Sequence, residues 1–402
     1  MKSIGSPLST ESFRTGDPLS SLPAFDFQPL TRVVFGTGTL GKLGDLVREL
    51  GGARVLLVTD AGLEAAGHPQ RAVQSLRAAG REVFVFHEVE ENPTTRHVEQ
   101  GLAFARANRV DFIVAVGGGS SMDCAKGINF LLTNGGSMAD YMGFGKATRP
   151  MLPSIGVPTT SGTGSEGQSY ALIADNDTHM KMACGDRKAA FRVAILDPEV
   201  TVSQPRKVSA ITGIDALAHA LETYVTTKRT PLSQTFAREA WKLLEPNFEI
   251  VLREPGNLEA RSAMQLGAHF AGIAIENSML GACHACANPL TAHYGMTHGI
   301  AIGILLPHVL RFNAPAAGHL YAELAHGAGL LNGDLGSAAE SLARRISDLV
   351  QIAGLPANLS SYGVSEGILH LLAEEAADQW TGHFNPRPVG QAELLQLYTA
   401  AL

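Results

Sequence analysis

The chain has 402 residues, 45% of them apolar and 17% charged, which is ordinary for a well-packed globular protein and long enough for two domains. Its formal net charge of −7 leaves no basic footprint for nucleic acid or an anionic membrane. No uninterrupted apolar run approaches the ~20 residues that cross a bilayer, so a soluble, cytoplasmic chain is expected.

Residues 1–25 open the chain with Ser, Pro and Gly and few large apolar side chains, the pattern of a flexible arm without a secretory apolar core. From 26 to 204 short β-branched runs alternate with amphipathic stretches. Strands are predicted at 54–59, 82–86 and 111–116, with helices at 70–79, 95–108 and 121–132 between and after them; later strands fall at 154–157, 170–174 and 193–196. Continuous apolar strands alternating with helices predict an α/β unit built on a parallel sheet.

Gly117-Gly118-Gly119-Ser120-Ser121 follows the third strand and opens a helix. Glycines there let backbone approach a pyrophosphate, and the helix start presents free N–H groups to it. The spacing matches neither the usual dinucleotide fingerprint nor a Walker loop, and such a turn is as often structural. Asp60 ends the first of these strands, where a carboxylate can accept from a ribose hydroxyl and favour NAD over NADP, or simply cap the next element. A second polar loop, Pro158 through Glu166, carries five hydroxyl side chains, including Thr159, Thr160 and Thr163, that suit phosphate or ribose contacts.

After a boundary near 203–206 the character changes. Helical spacing at 207–226, 235–253, 258–279, 318–329 and 337–353 predicts an all-helical unit over 205–402. Asp215 and His219, four positions apart, share one face of the first of these helices. His284 and His298 lie downstream. Three imidazoles and one carboxylate suit Fe2+ or Zn2+ and poorly suit calcium. The chain has 14 histidines, however, and an Asp-x-x-x-His pair on a helix is more often a surface pair than a ligand set. His179, His308, His319 and His326 receive no role. Of the four cysteines, Cys124 and Cys184 are scattered, while Cys283 and Cys286 form one CxxC, read as small buried residues beside His284 rather than as a zinc knuckle.

The motifs become specific in combination. Gly117 through Lys126, Pro158 through Glu166, Ile195 through Glu199, Thr212 through Tyr224, Gly281 through Leu290, Met296 through Ala301 and Leu305 through Asn313 occur in an order that closely resembles the iron-containing (group III) alcohol dehydrogenases over about 35–313. The resemblance implies an N-terminal dinucleotide-binding domain, a helical C-terminal domain and a cleft between them. Metal ligands would be Asp215, His219, His284 and His298, holding one Fe2+ or Zn2+. NAD contacts would be Asp60, Gly118, Gly119, Ser120, Thr159 and Thr160, with Gly117 and Thr163 in the same loops and Lys181 near the ribose. Asp123 matches a family aspartate expected to fix the glycine loop. An alcohol, aldehyde or ketone is the implied substrate, and a homodimer or larger homo-oligomer the implied assembly.

One departure stands out. The family usually carries a second histidine four residues after its third ligand, assigned to proton relay; here that position is Asn288, which cannot titrate near neutral pH. His293, taken to lie in the same loop, is the candidate replacement. Hydroxyacid–oxoacid transhydrogenases and maleylacetate reductases are alternatives within the family, and dehydroquinate synthases share the fold with less resemblance. A nucleotide-binding sensor would be expected to relax the metal ligands, all four of which are intact.

Overall fold

The computed structural model describes residues 23–178, 180–330 and 337–402. Most of the arm expected at 1–25, and His179, therefore lie outside the described residues. The first half contains β1 (Arg32–Phe35), α1 (Leu43–Glu49), β2 (Arg54–Val58), α2 (His68–Ala78), β3 (Glu82–Phe86), α3 (Thr95–Ala107), β4 (Phe112–Gly117), α4 (Gly119–Asn134), β5 (Gly143–Phe144), β6 (Ser154–Pro158), β7 (Tyr170–Ala174), β8 (Lys181–Gly185) and β9 (Val193–Leu196).

Six strands form one parallel sheet in the order β1-β9-β6-β4-β2-β3. Alternation assigns each strand's side chains to two cores. Val55 and Leu57 pack with Leu43, Val47 and Leu76 of α1 and α2, whereas Leu56 and Val58 pack with Val98 and Ile128 of α3 and α4. Such strands read as unbroken apolar runs because both faces are covered. From β2 the chain steps outward to β3 and then back across β2 to β4, so the order reverses between β2 and β4. Their C-terminal ends open the crevice where ligands bind in sheets of this topology.

The expected strand at 170–174 forms, but outside the parallel sheet. β7 pairs antiparallel with β8, and β8 pairs parallel with β5, in a separate three-stranded sheet. A short apolar run announces a strand without naming its neighbour, and β8 lacked that signal.

The second half contains α5 (Arg206–Val225), α6 (Pro231–Arg253), α7 (Leu258–Glu276), α8 (Ala282–Tyr294), α9 (His298–Gly327), α10 (Ala338–Ala353), α11 (Leu369–Ala377) and α12 (Gln391–Ala401), with no strand among the described residues. α5 is buried almost all round, and Ile214, Leu217 and Leu221 join Trp241 and Phe248 in the helical core. α9 is one 30-residue helix running through Pro307 and Pro315, of which the sequence pattern shows only the last third. It is long and apolar enough to cross a membrane, despite the lack of a long uninterrupted run, yet 67% of its most apolar stretch is buried inside the fold.

The two halves meet where α7 crosses the loop after β6. Gly164, at φ 59°, touches Gly272 so closely that a Cβ at Gly272 would lie 2.3 Å from the Gly164 carbonyl oxygen. Gln265 Nε2 donates to the Pro158 carbonyl at 3.0 Å, and Ser169 donates to Glu276 from N at 2.9 Å and from Oγ at 2.7 Å.

Candidate active site

Asp215 and His219 sit one turn apart on α5, His284 in the first turn of α8 and His298 at the start of α9. The three helices bring the imidazoles to one carboxylate oxygen. Nε2 of His219, His284 and His298 lies 3.3, 3.4 and 3.8 Å from Asp215 Oδ1. The ligand atoms of Asp215, His284 and His298 all fall within 4.8 Å of one another, and the His219 ring stacks on His284 at 4.9 Å. Asp215 Oδ1 and His284 Nε2 are buried and have no hydrogen-bond partner. Buried polar atoms are normally satisfied, so two left facing each other fit a shared divalent cation, and the N/O donor set suits iron or zinc.

The electrostatics agree. Burial would raise the Asp215 carboxyl, but His219, His284 and His298 hold it well below the ordinary carboxylate range. Burial would lower His284, yet the carboxylates of Glu222 and Asp215 outweigh it and raise its pKa to about 9. For His298, burial dominates and lowers it to about 3. The pocket is built to receive positive charge.

Glu222 was not singled out in the sequence. Seven residues after Asp215, it lies on the same face of α5, and it is buried. Its Oε2 accepts from His284 Nδ1 and its Oε1 from the Cys283 backbone N–H at 2.9 Å. Binding Nδ1 fixes the tautomer that leaves Nε2 free to ligate, a common support for a metal-bound histidine. The spacing Asp215, His219, Glu222 was the available signal.

Cys283 and Cys286 are free and buried, with thiols pushed well above their ordinary range by burial, so neither offers a thiolate. Asn288 lies one turn beyond His284, and its Nδ2 donates to Gln379 Oε1 at 2.8 Å. His293 is not in a loop beside the cluster. It occupies the last turn of α8, about 13 Å along the axis from His284 at helical rise, and pairs on the surface with Glu375 at 2.8 Å. The expectation placed it by sequence distance, but nine helical residues carry it away from the ligands.

At the switch point a cavity of about 680 Å³ is lined by Asp60, Gly118, Ser120, Thr159 and Thr160 among others. α4 starts at Gly119, with Gly118 as a cap that makes no side-chain hydrogen bond, so its first N–H groups stay available. Gly117, Gly119 and Thr163 pack closely within these two loops. A Cβ at Gly117 would lie 2.3 Å from Ser121 Oγ, and one at Gly119 would lie 2.6 Å from Thr163 Cγ2. Gly117, Gly119 and Thr163 thus let the two loops nest. Burial raises the Asp60 carboxyl above its ordinary value. Asp123 Oδ1 accepts from Ser165 Oγ at 2.6 Å, while buried Lys126 Nζ reaches the Ser165 and Tyr170 carbonyls, each at 2.7 Å; this network fixes the loops. Lys181 on β8 lies outside the cavity wall and interacts with Asp123, Asp215 and Glu91.

The sequence model described as "Iron-containing alcohol dehydrogenase" matches residues 30–198, and "Fe-containing alcohol dehydrogenase family, C-terminal" matches 209–402. The chain is 35% identical over 381 residues to 1,3-propanediol dehydrogenase of Klebsiella pneumoniae, covering 94% of this chain and 98% of that one. It is 33% identical over 371 residues to NAD-dependent methanol dehydrogenase of Bacillus methanolicus, covering 92% and 97%. Among solved structures, a 1,3-propanediol oxidoreductase superposes with a TM-score of 0.92 at 34% identity, covering 94% of this chain and 100% of that one. Sulfoacetaldehyde reductase from Bifidobacterium kashiwanohense, solved with NAD+, gives 0.85 at 29%, covering 94% and 99%.

Proposed function

The chain belongs to the iron-containing alcohol dehydrogenase family and catalyses NAD-dependent alcohol oxidoreduction, and we propose that it does so with one divalent metal held by Asp215, His219, His284 and His298. The observation that carries this reading is the convergence of three Nε2 atoms on one buried carboxylate oxygen that has no hydrogen-bond partner.

When bound there, Fe2+ or Zn2+ supplies Lewis acidity that makes an alcohol hydroxyl more acidic and a carbonyl more polar. NAD supplies the hydride acceptor. In the cavity Asp60 would accept from ribose hydroxyls, and the free N–H groups at the start of α4, with Ser120, Thr159 and Thr160, would bind phosphate oxygens. Gly117, Gly119 and Thr163 keep that wall in place. Burial lowers the Lys181 pKa, and the carboxylates of Asp123, Asp215 and Glu91 partly offset that shift. Asn288 orients through its amide, and with His293 on the surface neither residue takes the substrate proton.

Residues 26–204 are read as the NAD-binding domain and 205–402 as the metal-binding domain, the chain crossing over just before α5. A homo-oligomer is supported by edge strand β1, which among the described residues pairs only with β9 and exposes Val33 and Phe35. A cytoplasmic location is supported by four free, buried cysteines.

The test combines metal analysis of the purified protein, light scattering, and NADH formation from short alcohols before and after chelation. One iron or zinc per chain, with activity lost on chelation and restored by metal, is the expected result. Turnover by metal-free protein would refute the four-ligand reading.

A further inference from the structure

Large aromatic side chains are usually buried, and exposed ones that touch one another mark a binding surface. Phe144 is 52% and Trp380 39% exposed. With Tyr170 they form a row, Phe144 to Tyr170 at 5.7 Å and Tyr170 to Trp380 at 6.0 Å between ring centroids; Phe384 continues it edge-on at 6.3 Å from Trp380. The row draws on β5, β7 and the turn after α11, so it spans both halves of the chain. It rests on a seat made for it. A Cβ at Gly185 in β8 would lie 2.4 Å from the Tyr170 ring and 2.8 Å from the Phe144 ring.

The row adjoins the metal cluster. Trp380 follows Gln379, whose Oε1 accepts from Asn288, one turn of α8 beyond His284. The same turn packs on the neighbour of that ligand, since a Cβ at Gly382 would lie 3.4 Å from Ala285 Cβ. The cavity lined by Asp60 and Gly118 shares no lining residue with the row. The aromatic surface is thus separate from the polar nucleotide-binding surface and reaches the cluster through Gln379 and Asn288.

We propose that Phe144, Tyr170 and Trp380 bind the tail of the substrate, and that this alcohol carries an aryl group, as benzyl alcohol does, rather than being a short alkanol or diol. The proposal rests on the alcohol dehydrogenase reading above. Flat rings stack on flat rings in offset or tilted geometry, whereas a hydroxylated tail would lose water against this wall without gaining partners.

The test measures kcat/KM for benzyl alcohol, ethanol and 1,3-propanediol with metal-loaded enzyme and saturating NAD+. Wild type is expected to favour benzyl alcohol about tenfold, and Trp380→Ala to lower the benzyl-to-ethanol ratio by about tenfold, the scale of one or two ring contacts. Phe144→Ala, at a more exposed position, is expected to lower it about threefold and serves if Trp380→Ala fails to fold. A wild-type preference for ethanol or the diol, or an unchanged ratio in the variants, overturns the proposal. Binding is read separately from turnover by indole fluorescence. The two tryptophans are Trp380 and the buried Trp241, so benzyl alcohol should perturb emission in wild type and not in Trp380→Phe. Perturbed emission without NADH from any alcohol would count against the alcohol reading and leave the aryl site standing; unperturbed emission would remove the site itself.

Discussion

Glu222→Gln isolates the support beneath one proposed metal ligand. The Glu222 carboxylate accepts from two buried donors, His284 Nδ1 and the Cys283 N–H at 2.9 Å. Glutamine preserves the volume but offers one oxygen to two donors and loses the charge that assists both bonds. A hydrogen bond to a charged group contributes about 1.5–3 kcal/mol. Removing a carboxylate behind a metal-bound histidine weakens binding about 10- to 100-fold, which is about 1.4–2.8 kcal/mol. The two figures agree, so a loss of about 30-fold in metal affinity is expected. Competition against a chromophoric chelator with Zn2+, or with Fe2+ under anaerobic conditions, measures it directly. Because Cys283 N–H lies in the first turn of α8, Glu222 also caps that helix, and thermal unfolding of the metal-free variant measures that separate role. A folded Glu222→Gln protein binding metal within about twofold of wild type would refute the reasoning and leave the carboxylate as a helix cap.

Asp60 sets a partly buried carboxylate at the cavity wall, where it accepts from Ser121 Oγ at 3.4 Å. Its pKa is raised in the folded state, so above that value the ionised group opposes folding, and the opposition disappears below the unfolded value. Asp60→Asn should therefore raise the Tm of cofactor-free protein at pH 7 while weakening NADH binding, both readable by fluorescence; in wild type NADH affinity should begin to fall at a pH above the ordinary aspartate range. Gly164→Ala places a Cβ 2.6 Å from the Ala268 carbonyl oxygen and 2.7 Å from Gly272 Cα at φ 59°. Backbone cannot step aside cheaply, and chemical denaturation should show a loss of about 3 kcal/mol or more. Asn288→His sets an imidazole one turn from His284 and should add an ionisation near neutral pH to the kcat/KM profile; an unaltered profile would show that position 288 does not face the reacting group. His293→Ala should leave that profile unmoved, because its partner is Glu375 on the surface.

Periodic features were legible in the sequence because their causes are local. β2, β3, β4, β6 and β9 fall where apolar runs place them, since a strand covered on both faces has no polar alternation to hide it. Asp215 and His219 share a face because four residues make about one helical turn. The glycine cluster marks a strand-to-helix turn because few other residues allow so close an approach. Strand partners were not legible, and β7 joined a different sheet from the one expected. The run of α9 through Pro307 and Pro315 and the helical continuation of α8 past His284 were equally hidden, and the latter removed His293 from the cluster.

By itself, the order of residues determined an α/β half followed by a helical half, and the motif combination pointed to the family. Tertiary structure alone decided that α5, α8 and α9 meet with three imidazoles around Asp215 Oδ1, that Glu222 stands behind His284, and that Gly119 packs against Thr163. The physical reason is range. Helical and strand periodicity arise from neighbours a few bonds apart, whereas a ligand set gathered from residues 215 to 298 depends on how whole helices pack, and no spacing along the chain records that.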